Sequence, residues 1–176
     1  MLRPLALLAL TAAAAQAHTL EFQLGTSRPS TTTGQPGYNS NVVTGLSYSN
    51  QVSNQVSVGA TLAQRDIEPR AGLVGGWAGD QVTTLTLDLT WELGSRDGGL
   101  KPFFAVGAGA TRLDEQAGSS TALTGTAQAG LRFEISEDVD VSVAMRHFRI
   151  FDVNFPTLGE EDIRGWETYL GLRLKF

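Results

Sequence analysis

Cysteine is absent from the chain, and histidine occurs only twice, at His18 and His147. The first absence excludes a disulfide framework, thiolate metal sites and a lipid-modified cysteine. The second leaves general-base and nucleophilic chemistry few places to stand. No apolar run near 18 residues occurs after position 17, so the remainder offers no membrane-spanning helix. Lysine and arginine total 13 against 18 acidic residues, a net charge of −5, whereas a nucleic-acid partner would want a basic face. Helical periodicity is missing throughout.

What is there begins with Met1-Leu2-Arg3, one positive charge, followed by an apolar run from Leu5 to Ala15 broken only by Thr11. Ala15-Gln16-Ala17 then supplies a small-x-small cleavage signal. The reading is a cleaved signal peptide over 1–17 and a single mature domain over 18–176, exported from the cytoplasm. The run is too short to be a membrane anchor, which needs about 20 apolar residues.

Over 18–176 the period is 2. Eight segments alternate: near Thr19–Ser27, Val42–Ser49, Gln55–Arg65, Thr84–Leu93, Pro102–Arg112, Ala122–Ile135, from Val139 onward, and the tail through Phe176. The fourth is the cleanest, with Leu85, Leu87, Leu89, Trp91 and Leu93 set against Thr84, Thr86, Asp88, Thr90 and Glu92. Each is about the 9–11 residues that a tilted strand needs to cross a bilayer. Asn50–Asn54, Gly94–Lys101 and Ser136–Asp138 read as short turns. Arg28–Asn41, Asp66–Gln81, Leu113–Thr121 and Phe151–Ile163 read as longer loops, the asymmetry expected of an outer-membrane barrel.

Alternation alone does not separate a membrane barrel from a soluble eight-stranded one. Two observations favour the membrane. The non-apolar face is built largely of small residues such as Gly45, Ser57, Gly59, Ala105 and Gly107, which fit inside a narrow barrel better than they face water. The aromatics Phe22, Tyr48, Trp91, Phe104, Phe133 and Phe176 all fall in the apolar phase at one end, as a girdle does, with Trp166 at the other. The expected fold is therefore an all-β, eight-stranded antiparallel up-and-down transmembrane barrel in the outer membrane.

Three stretches carry a resemblance: Lys101-Pro102-Phe103-Phe104-Ala105-Val106-Gly107-Ala108-Gly109-Ala110, Gly130-Leu131-Arg132-Phe133, and the Tyr169–Phe176 ending. With them the chain resembles the small outer-membrane β-barrel superfamily typified by the transmembrane domain of outer-membrane protein A and by opacity and adhesion-type barrels. The resemblance spans 18–176 and implies architecture and an assembly signal, not an activity. Its implied partners are outer-membrane lipids and lipopolysaccharide, the barrel-assembly machinery through the segment ending in Phe176, and an extracellular ligand of four external loops. A monomer is expected, without nucleic acid or cofactor.

Ionisable residues in the inward phase are Glu21, Asp88, Glu92, Arg132, Glu134, Asp140, Arg146, Glu167, Arg173 and Lys175. Inside a narrow barrel unpaired charges are costly, so pairs are expected: Arg146 with Glu167, and Arg173 with Glu21 across the seam between the last and first strands. They are either structural plugs or the gate of a narrow channel. A lipid A-modifying enzyme is the catalytic alternative. The related deacylases carry a His-x-Ser pair roughly where this chain has His147-Phe148-Arg149, so the nucleophile is missing. No catalytic residue is assigned, and His147 is placed beside lipopolysaccharide phosphates with Arg149 nearby. Glu160-Glu161-Asp162 reads as a solvated acidic loop before a Ca²⁺ site. Trp77, in a glycine-rich loop, is either a receptor contact or a rim residue.

Overall fold

The computed structural model describes residues 18–31, 41–67, 80–93, 99–115, 118–155 and 159–176. Residues 1–17, with the expected signal peptide, and Trp77 lie outside the described residues. The described residues form eight antiparallel strands closed into one barrel: β1 (His18–Thr31), β2 (Asn41–Gln51), β3 (Val56–Ile67), β4 (Asp80–Glu92), β5 (Leu100–Glu115), β6 (Gly118–Ser136), β7 (Val139–Phe155) and β8 (Gly159–Lys175). The seam pairs β1 with β8 from Thr19↔Lys175 to Thr31↔Ile163. Backbone bonds His18 N–H to Phe176 O (3.0 Å) and Phe176 N–H to His18 O (2.9 Å) extend it to the barrel floor.

Register partners define the tilt. From Leu20 they run through Tyr48, Ala60, Leu87, Ala108, Gly125, Arg149 and Arg164, and return to β1 at Ser30. Returning ten residues higher on the starting strand fixes the stagger, and with eight strands it sets a tilt near 40°. Each residue then climbs roughly 2.5 Å along the barrel axis.

Alternation is as the sequence implies over the lower two-thirds. Leu24, Leu46, Leu62, Leu87, Val106, Met145 and Leu170 face outward and exposed, while Thr61, Thr86, Ser142 and Tyr169 face inward and buried. An apolar band about 25 Å tall spends about ten residues per strand.

Two expected loops are not loops. β5 continues to Glu115 and β6 starts at Gly118; β7 continues to Phe155 and β8 starts at Gly159. The segments expected at Leu113–Thr121 and Phe151–Ile163 are thus mostly strand, and β5–β8 project well past the band. In this extension the phase inverts. Leu113, Ala122, Val153 and Ile163 point inward and join Val82, Phe148 and Ile150 in one buried apolar cluster, while Arg112, Thr121 and Arg164 face out. Water replaces lipid outside, so the favourable arrangement is that of a soluble barrel.

A bulge accommodates the change on β7. The register with β8 shifts between Ile150 and Val153, and Asp152 takes a left-handed φ of 51°. The bulge lets Ile150 and Val153 both point inward, each fully buried.

Candidate functional site

The inward side chains form three tiers. Lowest, Arg173 pairs with Glu92 at 2.7 Å and Asp140 at 3.8 Å, Lys175 reaches Asp140 at 3.0 Å, and Arg132 contacts Glu92 and lies 3.8 Å from Glu21. Arg132 also lies over the Phe103 ring at 4.2 Å, and Ser142 donates to Glu21 at 2.9 Å. Gly171 leaves room for this contact: a Cβ on it would press on the Glu21 carboxylate and the Ser142 hydroxyl. Arg173 stands opposite Glu21 in register, but its ion pairs go to Glu92 and Asp140. The expected seam pair is replaced by Asp140, the register partner of Arg173 on β7, and by Glu92 on β4, which the long guanidinium reaches across the narrow interior.

In the middle tier Asp88 accepts from Thr61 at 2.5 Å and Thr86 at 3.3 Å, so hydroxyls rather than a cation satisfy it. Gly107 leaves the room it occupies. Arg146 donates to Gln128 (3.0 Å) and Gln23 (2.9 Å), lies over Tyr169, and pairs with Glu167 at 3.4 Å. The expected Arg146–Glu167 pair is present.

The top tier holds a residue that the sequence reading missed. Arg65 is 2% exposed, pairs with Glu167 at 3.2 Å and lies over the Phe148 ring at 4.3 Å. Its signal was available: it continues the inward series Ser57, Gly59, Thr61, Ala63, but sits where that strand was taken to end. Thr84, Thr111 and Thr124 link hydroxyls beside it, at 2.8 and 2.5 Å. Above, the Val82–Phe148–Ile163 cluster closes the interior.

Glu134 differs from expectation. It keeps the inward phase but sits exposed at the lower mouth, paired with Lys101 at 2.7 Å.

On the outer wall, Phe22, Tyr48, Phe104, Phe133 and Phe176 are all exposed at the lower end. Trp91 is half-buried, stacked on Phe104 with ring centroids 4.8 Å apart. His18 lies between Tyr48 and Phe176, with its Nδ1 2.7 Å from the tyrosine hydroxyl. Trp166 is at the upper end, edge-on to His147 at 4.9 Å. Higher still, Asp162 accepts from Arg149 Nε at 2.9 Å and from the Asp152 N–H at 3.1 Å, which holds its carboxyl below the usual aspartate range. The side chains of Glu160 and Glu161 lie outside the described residues.

A family profile for the outer membrane protein beta-barrel domain matches residues 4–176. The chain belongs to this family. Its location is accordingly the outer membrane; in such barrels the short-turn end generally faces the periplasm and the longer connections face outward. Among solved structures, Neisserial surface protein A is similar at a TM-score of 0.74 and 14% identity, covering 91% of this chain and 99% of that one. OprG from Pseudomonas aeruginosa follows at TM-score 0.60 and 15% identity, with 92% and 96% covered. The outer membrane enzyme PagL is similar at TM-score 0.55 and 17% identity, with 87% and 97% covered. At such identities the likeness is one of fold. A search of curated proteins finds no match.

Proposed function

We propose that this family member works through its outer surface, as an adhesion or protection barrel, and not through its interior. The observation that carries this reading is the fully enclosed Arg65–Glu167 pair beneath an apolar cap. A conducting path would have to pull both Arg65 and Arg146 away from their shared carboxylate and wet a layer built of Val, Leu, Ile and Phe. The accessible surface that remains among the described residues includes the projecting β5–β8 crown. A closed barrel has no free strand edge, which suits action as a monomer. The segment ending in Phe176 is the proposed contact of the assembly machinery.

A catalytic role is disfavoured by the neighbourhood of His147. Its ring packs against Trp166, and the position two residues on is Arg149, already engaged by Asp162. Lipopolysaccharide is the proposed lipid partner. The test is surface binding by cells displaying the protein to extracellular-matrix proteins, repeated with 68–79 and 154–160 replaced by short turns. Loss of binding on replacement supports the reading, and undiminished binding sinks it. Discrete single-channel openings altered by Arg146→Ala would favour the channel instead.

A further inference from the structure

The β1–β8–β7 wall carries six outward positions in two register rows. The lower row is Arg28–Trp166–His147, and the upper is Ser30–Arg164–Arg149. Every one of these side chains is a hydrogen-bond donor, and none is acidic. Arg28, Arg164 and Arg149 are exposed, and Trp166 is 55% exposed.

Their height is informative. Directly below, the same wall shows Thr26, Thr168 and Met145, then Leu24, Leu170 and Val143, the top of the lipid-facing band. Trp166 marks the boundary where amphipathic rings settle. The arginines begin at the next level, where outer-leaflet headgroups lie.

Arg149 and Arg164 are direct cross-strand partners on one face, and Arg28 stands diagonal to Arg164. Like charges so placed are destabilising unless an anion sits between them. Asp162 pairs with Arg149, whereas Arg28 and Arg164 make no ion pair among the described residues. On the far wall, by contrast, Arg112 is already tied to Asp114 at 2.8 Å.

The geometry points to a binding site on this wall for the phosphate group of an outer-leaflet glycolipid. The acyl chains lie along Leu170, Val143 and Leu24, and the phosphate rests on Arg28, Arg164 and Arg149. Guanidinium forks suit a phosphate, with its several acceptor oxygens, better than a single carboxylate. This deepens the lipopolysaccharide reading above and rests on it.

The test uses folded protein in detergent, titrated with bisphosphorylated lipid A, dephosphorylated lipid A or inorganic phosphate, with bound lipid read by native mass spectrometry. R28Q/R149Q/R164Q is expected to lose at least tenfold in lipid A affinity, and R112Q to match wild type. Dephosphorylated lipid A should bind wild type as weakly as lipid A binds the triple variant. R164Q alone keeps the test independent of folding. It removes a like-charge neighbour, so it should be at least as resistant to heat unfolding as wild type while losing several-fold in affinity. Equal lipid A binding by wild type and triple variant would overturn this site and leave the lipopolysaccharide reading standing. No binding by wild type would overturn both. Displacement of lipid A by equimolar inorganic phosphate would overturn the lipid-borne source.

Discussion

Glu167 on β8 and Arg65 on β3 meet 3.2 Å apart inside the barrel, with neither side chain reachable by solvent. Glu167 also holds Arg146 at 3.4 Å, so one carboxylate serves two guanidiniums. The two partners are therefore not equivalent. Glu167→Gln strands two buried cations and should cost about 3–5 kcal/mol, the usual result of orphaning a buried charge. Arg65→Met leaves Glu167 still paired with Arg146 and fills similar volume, so about 1 kcal/mol or less is expected. Urea unfolding in lipid vesicles, followed by tryptophan fluorescence, would rank the two. A cost for Arg65→Met equal to that of Glu167→Gln would contradict a shared carboxylate.

Phe148 carries the cap and also faces the Arg65 guanidinium at 4.3 Å. Truncating it removes packing with Ile150 and Ile163 and exposes the charge cluster to whatever enters the space. Phe148→Ala should destabilise by about 3–5 kcal/mol, whereas Phe148→Leu should cost about half as much. Solvent exchange at the Arg65 side chain, read by NMR, should accelerate in the alanine variant only. Unchanged exchange there would mean that the cluster is sealed by something other than Phe148.

Asp162 holds the β7 bulge by accepting the Asp152 N–H and the Arg149 guanidinium. Its depressed pKa means that the folded state favours the carboxylate. Stability from this contact is then complete above the ordinary aspartate range and is lost as pH falls through the lower, folded value. Carboxyl NMR should place its midpoint below that of an unperturbed aspartate, and Arg149→Gln should bring it back up. Protection of the Asp152 amide from hydrogen exchange should fade over the same acid limb. A midpoint indifferent to Arg149→Gln would break the assignment.

Strand number, closure, most of the inward charges and the aromatic ends were legible, because over the lipid-facing band each side of a strand meets a different solvent. Leu85, Leu87 and Leu89 against Thr84, Thr86 and Asp88 could hardly be read otherwise. Above the band that contrast reverses. Leu113 and Ile163 turn inward, Arg112 and Arg164 turn outward, and the β7 bulge shifts the count by one at Asp152. A reading that expected apolar-out saw the pattern dissolve and assigned loops. Arg65 was lost at the same border. Ion-pair partners were harder still, since Arg173 and Glu92 are set by reach across the interior, which register does not encode.

The inversion itself can be measured by placing one probe at successive heights on the outer wall. Leu87 is 69% exposed in mid-band, so Leu87→Lys should cost about 2–4 kcal/mol in vesicles, the penalty of a charge near the bilayer midplane. Thr121 is outward and exposed on the β6 extension, and Thr121→Lys should change stability by less than about 0.5 kcal/mol. Val153 is inward and fully buried on the β7 extension, so Val153→Lys should again be severe, above about 3 kcal/mol. A soluble-type extension gives the order severe, neutral, severe for these three sites. A heavy penalty at Thr121 would instead put lipid against the extension, and the membrane boundary would have to move above Trp166.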